Sequence, residues 1–192
     1  MERKKGSLKI KKLQAVLTKD EVFRIFGLVE SDRDRILFKM LYYTGMRITE
    51  IVSLTKNDLN FTENLIRIRP ETTKTRREAL QPMPKPLIED LKKYSINKEA
   101  SEYLFLSPRG ENRHLTKQRA WQLVKYYAKK AKIDKNVHPH TFRHTFGTHI
   151  YEETEDIGKV QELLRHDSLA STGVYKHLSK ELKNKTVNEV FK

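Results

Sequence analysis

Arg47, Lys74, His140, Arg143, His166 and Tyr175 are the side chains of this sequence best suited to handling a phosphodiester. The last four fall within 36 residues, in HTFRH (140–144) and LLRHDSLASTGVY (163–175). Breaking a phosphodiester concentrates negative charge on the non-bridging oxygens of a five-coordinate transition state, and planar arginine forks match that charge best. Arg47 and Arg143 are available for it. With no cysteine in the chain, disulfides, thiolate metal sites and thiol nucleophiles are excluded, which leaves Ser, Thr, Tyr or water to attack phosphorus. Tyr175 suits the task, because a phenol of ordinary pKa about 10 needs nearby positive charge to ionise. Lys74 is placed to protonate the leaving sugar oxygen, with Arg76 and Arg77 as alternative cations on the same segment. His140 and His166 would orient the phosphate and help to move the tyrosine proton.

Spacing supports the grouping. His140 and Arg143 are three residues apart and share one face of a helix, and Gly173 relaxes the backbone just before Tyr175. His138, His140, His144 and His149 come with no HExxH pattern and no cysteine, so neither a metal nor a cofactor is expected. His144 and His149 read as helix or core histidines, and Trp121, Tyr126 and Tyr127 as core packing.

The elements that must position these groups are mostly helical. Thr18 and Glu21 match a capping box, and Val22, Ile25, Phe26 and Val29 repeat at helical spacing, which predicts a helix over roughly 18–30. An apolar run from Ile36 to Tyr43 stops at Gly45, and Arg47 opens another short helix. Between about 58 and 83, Leu65, Ile66 and Ile68 alternate with Arg67 and Arg69, and a Thr-rich basic stretch leads into Pro82, Pro84 and Pro86. This predicts a small antiparallel sheet. Helices resume at about 85–94, 116–132, 140–152 and 156–165, followed by two short ones. The expectation is an α+β fold, mainly helical. Residues 1–13 form a basic N-terminal arm, and 14–192 form one domain.

Charge names the partner. Lys and Arg total 39 against 25 Asp and Glu, a net +14, which is the footprint of a polyanion ligand or of an anionic membrane surface. Residues 1–12 hold six cations against one acid, 67–77 five against one, and 113–143 nine against one, whereas 152–167 hold six acids and two cations. The three basic segments are the expected DNA-facing ones, with Arg76, Arg77, Lys117, Arg119 and Lys125 as candidate contacts. The helix at 116–132 is basic enough to lie along a groove. No apolar run spans a bilayer and the N-terminus lacks the apolar core of a signal peptide, so a cytoplasmic protein is expected.

These residues resemble the tyrosine recombinases, the phage-integrase type of site-specific recombinase, over about residues 14–190. Thr44-Gly45-Met46-Arg47-Ile48-Thr49-Glu50 is similar to that family's first arginine box and His140-Thr141-Phe142-Arg143 to its second. Leu164-Arg165-His166, with Tyr175 nine residues on, is similar to its third box and nucleophile, and Thr73-Lys74-Thr75 sits where the family carries a hairpin lysine. The resemblance implies a covalent 3′-phosphotyrosine link through Tyr175 and strand exchange without metal, cofactor or ATP. It implies that Arg47, Arg143, His140 and His166 bind the scissile phosphate, that Lys74 is the general acid, and that Glu50 braces Arg47. It also implies double-stranded DNA as partner, four copies on synapsed DNA and a monomer when free.

The chain departs from the pattern in Phe142 for a usual Leu, in Arg165 for a usual Gly, and in Thr172-Gly173 for paired threonines. No separate N-terminal core-binding domain is expected in the residues that precede the catalytic region, as in an excised catalytic domain or a naturally short member of the family. An amphipathic tail carrying Leu178, Leu182, Val187, Val190 and Phe191 would dock on its own chain or on a neighbour. DNA relaxation of the topoisomerase IB kind, and DNA binding without catalysis, are the alternative functions.

Overall fold

The computed structural model describes residues 15–73, 76–108, 113–165 and 187–191. Lys74, His166, Tyr175, the arm and the first of the two expected short terminal helices lie outside them.

The Thr18 hydroxyl accepts from the Glu21 N–H (3.2 Å) while Glu21 Oε2 accepts from the Thr18 N–H (2.8 Å). This cap opens α1 (Lys19–Leu28), which buries Val22, Ile25 and Phe26. The second helix, α2 (Asp32–Thr44), starts four residues before the apolar run that predicted it. Its first turn is polar, and Asp32 and Asp34 there suit the positive end of the helix dipole. From Ile36 to Thr44 every residue but Lys39 is buried, so α2 is the central helix of the core, packed by α1 and by the helices α3 (Ile48–Val52), α4 (Lys85–Ser95) and α6 (Pro139–Thr154).

After α3 (Ile48–Val52) and a 3-10 turn at Lys56–Asp58, three strands form one antiparallel sheet in the order β1 (Leu59–Asn60), β2 (Leu65–Ile68), β3 (Ala79–Pro82). In β2, Leu65, Ile66 and Ile68 are buried and Arg67 is exposed. Leu65 lies opposite Pro82 and Ile68 opposite Ala79. Helices α4 (Lys85–Ser95), α5 (Lys117–Lys130), α6 (Pro139–Thr154) and α7 (Ile157–Leu164) complete the described fold, each within two residues of its expected bounds. Thr116 caps α5 and Asp156 caps α7 through their side chains.

A single turn at 187–190 packs on its own chain. Val187, Val190 and Phe191 are buried, and the Phe191 ring lies 5.2 Å from Tyr42, 5.1 Å from Tyr43 and 5.7 Å from Phe146. Those contacts place this part of the tail in cis. Among the described residues, no helix is long and apolar enough to cross a membrane.

Candidate active site

The site is built on the turn that ends α2. Gly45 adopts a left-handed conformation (φ 59°), which closes the helix and lets the chain reverse so that Arg47 becomes the N-cap of α3. A Cβ at Gly45 would lie 2.5 Å from Phe146 Cδ1, so only glycine lets this turn pass beneath α6. The Gly45 carbonyl accepts from Arg143 Nη1 at 2.6 Å, and Arg143 Nη2 donates to the carbonyl of Leu164. Buried on α6, Arg143 therefore ties together the ends of α2 and α7.

One turn into α3, the fully buried Glu50 carboxylate gathers three donors. Oε2 accepts from the Arg47 backbone N–H (2.8 Å) and from Arg165 Nη2 (2.7 Å), and Oε1 accepts from Arg47 Nη1 (3.1 Å). A buried carboxylate is tolerable only when so paired. Two guanidinium groups share it, so the cluster keeps a net positive charge. Burial lowers the pKa of the Arg165 guanidinium; Glu50 opposes that shift and Arg47 adds to it. Arginine stays charged at neutral pH regardless.

His140 stands in the first turn of α6, open to solvent. Partial desolvation, then repulsion from Arg143 and from Arg47, hold its imidazole below the ordinary 6.5. At neutral pH the ring is a neutral donor-acceptor beside two cations, which suits a group that must receive or pass on a proton.

Arg47, with a quarter of its side chain exposed, lines a groove of about 640 Å³. Thr49, Val52 and Ser53 form its α3 wall, Glu71, Thr72 and Thr73 bring in the approach to the β2–β3 connection, and His114, Thr116 and Lys117 bring in the start of α5. Thr73 precedes Lys74 in the chain. Asp58 fixes this approach: buried, it accepts from the Thr55 N–H and hydroxyl (both 2.9 Å) and pairs with Arg67 (3.6 Å) and Arg69 (3.4 Å). Arg69 in turn donates to the Ser53 carbonyl at the end of α3.

The structure thus brings Arg47, Glu50, His140 and Arg143 together, with Lys117 in the groove that Arg47 lines. Arg76 and Arg77 are exposed on the β2–β3 connection, and Arg119 is exposed on α5. Lys125 lies two turns further along α5, its Nζ 5.2 Å above the Trp121 ring and bonded to Asn136. His149 is a core histidine, 3.1 Å from the Tyr42 hydroxyl, as its sequence context suggested. The reading of all three α5 aromatics as core is corrected. Tyr127 is buried, but Trp121 and Tyr126 are 43% and 58% exposed, because the buried stripe Ala120, Leu123, Val124, Tyr127 and Ala128 turns them outward. Sequence reasoning missed the Asp58–Arg69 anchor, although an acid beside a basic strand was a signal for it. It also missed the bond from Arg165 to Glu50, 115 positions away. Among the described residues, no group of three or more His, Asp or Glu side chains could hold a metal.

The phage integrase family matches residues 15–181. Tyrosine recombinase XerD of Staphylococcus epidermidis is 36% identical over 182 residues, covering 88% of this chain and 60% of that protein, so the chain spans about three fifths of that relative's length. An integrase from mycobacterium phage Brujita superposes with a TM-score of 0.80 at 20% identity, covering 95% of this chain and 60% of that one. The XerH site-specific recombinase, solved bound to difH substrate in a pre-cleavage complex, gives a TM-score of 0.68 at 25% identity over 91% of this chain and 54% of its own.

Proposed function

The chain belongs to the phage integrase family, the tyrosine recombinases, and we propose that it carries out site-specific recombination by breaking and rejoining double-stranded DNA through Tyr175. The observation that carries this reading is the convergence of His140 and Arg143 with Arg47, which Glu50 holds at the wall of a groove that also takes in Lys117.

In the proposed step the Tyr175 oxygen forms a bond to phosphorus as the bond to the 5′ oxygen breaks. The phenol proton leaves by way of the histidines, and Lys74 delivers a proton to the departing 5′-hydroxyl. A 3′-phosphotyrosine remains, and attack by a 5′-hydroxyl from another strand restores the phosphodiester and frees the tyrosine. Nothing is oxidised, and no water or nucleotide is consumed. Arg47 offers its guanidinium to the non-bridging oxygens. Arg143, with Nη1 and Nη2 on main-chain carbonyls, places its charge at a fixed point and needs little reorganisation as the transition state forms. Arg76, Arg77, Lys117, Arg119 and Lys125 would hold the flanking backbone and make affinity fall with salt. The free protein is expected to be a monomer that assembles as four copies on synapsed DNA in the cytoplasm.

The test is to incubate the protein and Tyr175→Phe with nicked suicide duplexes of candidate target DNA in the presence of a chelator. On a denaturing gel, a protein–DNA adduct formed only by the parent supports the reading. An adduct that survives Tyr175→Phe overturns the assignment of the nucleophile, and binding without any adduct favours a DNA-binding protein.

A further inference from the structure

Arg165 is the cation of this site to which the chemistry above gives no task. It ends α7 in the left-handed region (φ 53°, ψ 51°), where a side chain is strained and glycine is the favoured residue. Its Nη2 donates to Glu50 Oε2, while its Nε and Nη1 are buried with no hydrogen-bond partner among the described residues. Buried polar donors are nearly always satisfied, and orphaned charged ones are the most costly, so donors held this way point to a ligand that completes them. Glu50 does not need Arg165, because Arg47 already gives it a main-chain and a side-chain donor. A residue kept only to cap that carboxylate would be replaceable by glycine with a gain in backbone comfort.

Position says what the ligand is. The carboxylate that holds Arg165 also holds Arg47, and Leu164, the preceding residue, gives its carbonyl to Arg143. Two guanidinium groups therefore share one carboxylate, with a third, Arg143, tied to the residue before Arg165, and a phosphodiester whose negative charge grows toward its transition state offsets the surplus. We propose that Arg165 is a third arginine of the phosphate site: Glu50 holds its Nη2, and its Nε and Nη1 donate to a non-bridging oxygen of the scissile phosphodiester beside Arg47. This rests on the strand-cleavage reading and adds a substrate-contacting residue to it.

The test uses the full chain with Arg165→Gly and Arg165→Lys, on nicked duplexes that carry at the scissile position either phosphate or one of the two stereoisomers of a phosphorothioate. On phosphate, Arg165→Gly is expected to slow adduct formation about 10²-fold, the usual effect of losing one donor to a developing oxyanion. Arg165→Lys should recover part of that rate, since an ammonium supplies the charge without the fork. One sulfur stereoisomer should slow the parent and leave Arg165→Gly little changed, because the contacted oxygen is the one replaced. Arg165→Gly should melt no lower than the parent, which separates lost chemistry from lost folding. Parental cleavage rates in Arg165→Gly, or equal sulfur effects in parent and variant for both stereoisomers, overturn this proposal alone. A parent chain that binds the duplex and forms no Tyr175-dependent adduct overturns the cleavage reading and this proposal with it.

Discussion

Replacing Gly45 by alanine probes the turn on which the whole site is built. Two costs combine at that position. At φ 59° an L side chain meets the left-handed penalty, roughly 1–2 kcal/mol. The new Cβ would also sit 2.5 Å from Phe146 Cδ1 and 2.9 Å from its Cγ, and 3.0 Å from Leu164 Cδ2. Phe146 is fully buried and stacked on Phe191, so the ring has little room to retreat, and overpacking of this kind costs about 1–3 kcal/mol. The sum, about 2–5 kcal/mol, is a large share of the ~5–15 kcal/mol that holds a domain together. At about 2–4 °C per kcal/mol for a chain of this size, a central loss near 3 kcal/mol lowers Tm by roughly 6–12 °C. The Gly45 carbonyl holds Arg143 Nη1 at 2.6 Å, so cleavage should fall further than stability does; a misplacement near 1 Å can cost about 10²-fold in rate. Gly27 supplies the control. It lies inside α1 with nothing within 4 Å of an added Cβ, so Gly27→Ala should be neutral or stabilising by about 0.5–1 kcal/mol. Thermal melting and urea denaturation of the two variants decide the matter. A Gly45→Ala protein melting within about 2 °C of the parent, or the two glycine variants shifting alike, refutes the reasoning.

Glu50→Ala should destabilise the fold by about 3–5 kcal/mol, the range for breaking a buried ion pair, because Arg47 can turn its head toward the open groove but Arg165 loses the partner of its Nη2. Urea midpoints measure this, and a loss under about 1 kcal/mol would show that the carboxylate is not the hub described. Acidification should also destabilise the protein. His138, His140 and His149 are all held below 6.5 in the folded chain, chiefly by desolvation, so below pH 6.5 the unfolded chain takes up protons that the folded chain resists. Stability from these groups is constant above that pH and is lost as pH falls through it. A urea midpoint at pH 5.5 equal to or above that at pH 7.5 would contradict the assignment. Ring resonances should show His140 titrating below 6.5 in the free protein and moving upward when a DNA phosphate offsets Arg47 and Arg143.

The parts of this molecule legible in its sequence are those with local causes. The Thr18–Glu21 box and the spacing of Val22, Ile25 and Phe26 place α1, and the alternation around Arg67 places β2, because capping and periodicity act over a few residues. Arg47, Glu50, His140 and Arg143 are legible as motifs for the same reason. What escaped was set by partners far away in the chain. Arg67 and Arg69 read as DNA-facing cations, yet both pair with Asp58. Arg143 read only as a phosphate ligand, and its bonds to Gly45 and Leu164 span 98 and 21 positions. The outward turn of Trp121 was within reach, since the phase of the apolar stripe on α5 excludes it from the core.

Residues 187–191 support the same site through the core. Phe191 stacks on Phe146 with the rings 21° apart, and Phe146 is the side chain that leaves room only for glycine at position 45. The Gly45 carbonyl then fixes Arg143, and Arg143 fixes the carbonyl before Arg165. Each link is a contact between buried groups, and interiors packed to crystal density have few voids in which to absorb a displacement. Seating Phe191 against Tyr42, Tyr43 and Phe146 therefore does more than cover apolar surface. It backs the packing that sets the Gly45 turn, so that Arg143 and the two main-chain carbonyls it binds keep their spacing before any DNA is bound. An electrostatic site of this kind is effective to the extent that its charges do not have to move during the reaction.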